Sequence, residues 1–205
     1  MNAKQVFFGA IAVTASIATV GCASQSDAFR QMSAADHERA ASSSADAALA
    51  QEHLDAAKRL RNEESAACDG VPDADRMAGP FAQAQLVTNV DVVRDRVLLP
   101  KGPLQPVGVA VYMKAEPGMT QQWLGRVIAC HVAHVAVVGQ AERPSPLSVA
   151  NTKVAVSSTS VGFRITVTSK DADVARSVID KGEQLAANAH APSNPGVGVA
   201  LRQRQ

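Results

Sequence analysis

The stretch VGVAVYMKAEPGMTQQWLGRVI (107–128) can be laid on VGFRITVTSKDADVARSVI (161–179) with a gap of three residues. Both begin Val-Gly, alternate apolar and polar residues as a strand does, turn, and start a helix carrying Arg-Val-Ile or Arg-Ser-Val-Ile. Two amphipathic patterns converging by chance would also give such strings. Read as a repeated ββα unit, they restrict the chain to an α+β domain: a mostly antiparallel four-stranded sheet with two helices on one face, in two layers. Aromatic residues make up only 3% of the chain, so a core of this kind must rest on Val, Ile, Leu and Ala.

The flanking residues supply the remaining elements. The valine-rich run 86–99 is expected to contain a strand, followed by a turn at Pro100-Lys-Gly-Pro103 and a second strand over 107–114. Thr120 caps a helix from Gln121 to about Val138, which Gly139 ends. A hairpin is expected around 158–160, and Asp171 caps a last helix to about Asn188. The domain is thus expected over 81–189, with a flexible tail at 190–205.

Before it, 34–80 reads as a helical acidic segment and linker. Residues 33–67 are rich in alanine, without Gly or Pro, and predict a helix that the serines at 42–44 can interrupt. Its apolar stripe is thin, with Leu49, Leu54, Ala56, Ala57 and Leu60 its largest members.

The first residues carry a different signal. Lys4 precedes a moderately apolar run over 6–18, too short to span a bilayer, and Thr19-Val20-Gly21-Cys22 follows directly. This resembles the lipobox of bacterial lipoproteins, with Thr19 where that family usually has Leu. The resemblance implies a signal peptide over 1–21, diacylglyceryl modification of Cys22, and a polar tether over 22–33. Ala23 and Ser24, with no Asp after the cysteine, imply the outer membrane by that family's sorting habit. A plain secretory signal cut after Ala23, giving a soluble periplasmic or secreted protein, is the alternative.

Export leaves Cys68 and Cys130. In an oxidising compartment two cysteines are most simply one disulfide, here closing a loop of about 60 residues. A second reading comes from Cys130-His131-x-x-His134. A thiolate and two imidazoles suit copper(I) or zinc, and Cys130, His131 and His134 are the candidate ligands. A third reading buries Cys130 as a small apolar residue with its histidines hydrogen-bonded nearby. Stepped about 100° per residue, the helix puts Trp123, Val127, Cys130, His134 and Val137 on one face, expected to pack on the sheet, with His131 at its flank. Trp123, the sole tryptophan, is expected in the core. His37, His53 and His190 are isolated in sequence.

No nucleophile elbow, phosphate loop or zinc-protease motif occurs, and no catalytic residue is assigned. Without the leader, 19 basic residues balance 19 acidic ones, which disfavours nucleic acid as partner. The distribution is uneven: 27–76 holds 11 acidic and 6 basic side chains, 77–205 holds 8 and 13. The expectation is therefore a lipid-anchored, periplasm-facing envelope protein that binds a partner or serves structurally. A copper- or zinc-binding lipoprotein is the alternative.

Overall fold

Val90, Val111, Ile165 and Val156 stand side by side across four strands, and Val92, Val109, Val167 and Val154 form the neighbouring row. These rows are the floor of the core in the computed structural model, which describes residues 28–96, 102–139 and 145–190. The leader expected over 1–21, Cys22, Pro100 and Lys101 of the expected turn, and the expected tail beyond His190 lie outside the described residues. Residues 28–31, expected as tether, are helical, and the unit described below begins at Gln31.

The strands are β1 (Val87–Asp95), β2 (Gln105–Lys114), β3 (Lys153–Thr159) and β4 (Gly162–Thr168), in the order β1-β2-β4-β3 and antiparallel throughout. Because side chains alternate, the β-branched rows face one way and residues such as Asn89, Asp91, Tyr112 and Arg164 face the other. Leu124 and Ile128 cover the rows from one helix, Gln121–Val138, and Val178 and Leu185 from another, Ala172–His190. The architecture is α+β, as expected, with all four strands and both helices in place.

The internal likeness of the sequence is visible in the backbone. Shifting β2 onto β4 so that Gly108 meets Gly162 also brings Val111 onto Ile165, which are each other's partners in the ladder. A two-fold relation therefore passes through that pair. Both glycines have positive φ, 150° and 156°. A β-carbon on Gly108 would lie 2.0 Å from the carbonyl oxygen of Val167, and one on Gly162 would lie 2.0 Å from that of Met113. Met113 and Val167 are themselves related by the same shift. The helix caps correspond as well. Thr120 Oγ1 accepts from Trp123 N (3.1 Å), and Asp171 Oδ1 accepts from Asp173 N (2.9 Å) and Val174 N (3.0 Å).

The edge of β3 is protected by Gln121 at the start of its helix. Its Nε2 donates to Val156 O (3.0 Å), and its Oε1 accepts from Ser158 N (3.1 Å). One side chain thus takes an acceptor and a donor that an added strand would otherwise use.

The N-terminal helix is interrupted at the serines, where the run at 42–44 allows it. α1 (Ala34–Ser43) and α2 (Ala47–Ala67) are separate, followed by a short α3 (Asp73–Ala78) where only linker was expected; the long helices of the sheet domain are then α4 (Gln121–Val138) and α5 (Ala172–His190). The break has a local cause. Ser42 and Ser43 hydroxyls bond back to the carbonyls of Arg39 and Ala40, while Asp46 Oδ1 accepts from Ala48 N (2.8 Å) and starts a new helix. Ser33 and Asp36 cap α1 reciprocally. The two helices form a hairpin closed by an Arg61–Glu38 ion pair (2.7 Å).

The hairpin packs on α4, adding a layer outside the sheet domain. Ala34, Ala57 and Val137 form one small cluster, and Cys68, Val71, Val127 and Cys130 another. This corrects the placement of α4: the face with Val127, Cys130 and Val137 meets the helical segment, while Leu124 and Ile128 meet the sheet. An apolar helix wedged between two layers has two buried faces, and periodicity alone does not say which neighbour each one meets.

Candidate functional site

Cys68 is the residue that caps the C-terminus of α2, and Cys130 lies mid-way along α4. Both are fully buried, and their sulfurs are bonded at 2.04 Å with Cα atoms 4.5 Å apart. One helical turn before Cys68 stands Glu64, and one turn after Cys130 stands His134. Their side chains meet at 2.6 Å, Glu64 Oε1 to His134 Nδ1, with both groups mostly shielded. The end of α2 is therefore joined to α4 at two levels, one covalent and one by a charge-assisted hydrogen bond when His134 is protonated.

His131 takes neither partner. Its ring lies against Gly79, beyond α3, and its buried Nδ1 has no hydrogen-bond partner. Burial, and secondarily the neighbouring His134, hold its pKa below the ordinary histidine value, so the ring is neutral near pH 7. The three residues expected as metal ligands thus diverge: Cys130 to Cys68, His134 to Glu64 and His131 to Gly79. Among the described residues no three His, Cys, Asp or Glu side chains converge as a metal would require. Adjacent positions on a helix point about 100° apart, and here each direction leads to a different neighbour.

A pair that sequence spacing leaves apart is brought together instead. His37 of α1 and His53 of α2 are 3% and 8% exposed, with their Nδ1 atoms 2.8 Å apart and ring centroids 5.1 Å apart. They occupy the inside of the hairpin, whereas Leu49 and Leu54, expected in the apolar stripe, are 42% and 46% exposed. The Ser33-x-x-Asp36 capping box and the second cap at Asp46 were the signals of two helices rather than one.

At a 2.8 Å separation one Nδ1 donates and the other accepts, an arrangement open to neutral rings and closed to two imidazoliums. Burial lowers the pKa of His37, helped by His53 and Arg59 and opposed by Asp36. The sign follows. Above the ordinary histidine value both folded and unfolded His37 are neutral and contribute nothing. As pH falls below it, the unfolded chain binds the proton first, and stability drops until the lowered folded pKa is passed. Urea midpoints should therefore fall between pH 7 and pH 5, and His37→Asn should remove part of that fall, His131 supplying more of it. A wild-type midpoint that is unchanged over this range would show that neither ring resists protonation.

No known protein family, curated protein or solved structure matches the chain. Its class rests on its own geometry: an α+β domain with a helical hairpin clamped to it by a buried cystine.

Proposed function

We propose that the chain is a lipid-anchored envelope protein facing the periplasm, attached through Cys22 at the outer membrane, and that it works by binding rather than by catalysis. The observation that carries this reading is Gly21-Cys22 directly after a short apolar run headed by Lys4. The other two cysteines lend support, because a buried disulfide suits an oxidising compartment. No helix among the described residues is long and apolar enough to cross a membrane. The copper or zinc alternative needs Cys130 as a thiolate, a form it does not have while bonded to Cys68.

Fractionation of cells making the full chain tests the anchor. Wild-type protein should sediment with membranes and need detergent for release. Cys22→Ala should shift most of it to the soluble fraction. Unchanged membrane association of this variant would contradict the reading.

A further inference from the structure

A cleft of about 390 Å³ opens between residues 75–83, the turn at 116–119 and the first half of α4. That volume lies in the range of small-molecule sites, about 300–1,000 Å³. Leu86, Met119, Trp123 and Leu124 supply its apolar surface, and Asp75 and Glu116 contribute carboxylates from two different elements. Both acids are half-buried. Neither carboxylate makes a hydrogen bond or ion pair with a described residue; Arg76, next in sequence, turns to Asp73 instead (3.9 Å). Among the described residues no Lys or Arg lines the cleft.

We infer that this cleft binds an organic cation, an alkylammonium group on an apolar body. Two carboxylates partly withdrawn from water, with no counter-charge among the described residues that line the cleft, favour a positive ligand and penalise a neutral or anionic one. An alkylammonium is weakly hydrated where substituted, and the indole of Trp123 lines the same cleft as those carboxylates, an aromatic surface of the kind such cations favour. The thioether of Met119 and the leucines suit its hydrocarbon part. This gives the binding role proposed above a ligand class, yet it depends on the cleft alone and does not need the anchor at Cys22.

Trp123 is the only tryptophan of the chain, so its emission reports directly on the cleft. The same chemistry is offered by a free alkylammonium and by a lysine side chain. Hexyltrimethylammonium chloride probes the first, and N-acetyl-lysine-N-methylamide probes the second. Each is titrated into the detergent-solubilised full chain, with hexanol and hexanesulfonate as neutral and anionic controls. At least one cation should give a saturable change in emission with affinity about tenfold or more above hexanol, and the sulfonate should give none. Asp75→Asn and Glu116→Gln should each weaken that affinity about threefold to tenfold, with far-UV dichroism and melting unchanged. The absence of saturation with both cations, equal response to hexanol, or full affinity in both variants would overturn the inference. None of these outcomes bears on membrane fractionation of Cys22→Ala, so failure of the cleft and failure of the anchor are read separately.

Discussion

Reduction of the Cys68–Cys130 bond, or its removal by Cys130→Ala, should lower stability by about 4 kcal/mol and release the α1–α2 hairpin from α4. The cysteines are 62 residues apart, and constraining a loop of that length in the unfolded chain is worth about 4 kcal/mol on the chain-entropy account. The rest of the hairpin's attachment is thin. Ala34, Ala57 and Val137, with Leu60 beside them, bury little apolar area, and the Glu64–His134 contact is a single hydrogen bond. The sheet domain has its own core, so it should outlast the hairpin. Trypsin in dithiothreitol should therefore cut first at Arg39, Lys58, Arg59 and Arg61, while the oxidised protein resists under the same conditions. An unchanged digestion pattern and an unchanged urea midpoint on reduction would show that the cystine is not what holds the hairpin.

Gly108→Ala and Gly162→Ala should each destabilise the domain by about 2–6 kcal/mol, and by similar amounts. Each glycine holds a backbone conformation that side chains disfavour, at a penalty of roughly 1–3 kcal/mol. Each would also drive a β-carbon to 2.0 Å from a carbonyl oxygen of the partner strand. A side chain in the way can rotate aside, but a ladder carbonyl can move only if β2 and β4 separate, which adds an overpacking penalty of about 1–3 kcal/mol. Urea unfolding of the two single variants provides the measurement. If one substitution is tolerated within about 1 kcal/mol while the other unfolds the domain, the two-fold correspondence between the strand pairs fails energetically.

The strands, α4 and α5 were legible because valine alternation and terminal caps are local signals. Thr120 and Gly139 bound α4 where the sequence puts them, and Val-Gly at 107–108 and 161–162 marks equivalent points of two hairpins. What escaped was determined by partners distant in the chain. Cys130 pairs with Cys68 as the cysteine count leads one to expect, but for His131 and His134 helical spacing gives directions and not what lies there. The hairpin shows the same limit. The serines at 42–44 mark where the helix can break, but a stripe of alanines does not show the new start at Asp46 or the fold-back that puts His37 against His53. Leu49 and Leu54 stay exposed because the buried side of the helix is the one with Ala56 and Ala57, of which Ala57 packs against Ala34 and Val137 of neighbouring helices.

The lipid proposed at Cys22 and the Cys68–Cys130 cystine are both read by intact mass measured on protein extracted from cell membranes. The expected species begins at a lipid-modified Cys22 and gains two hydrogens on reduction. A mass matching all 205 residues, with three free thiols before any reductant is added, would contradict it.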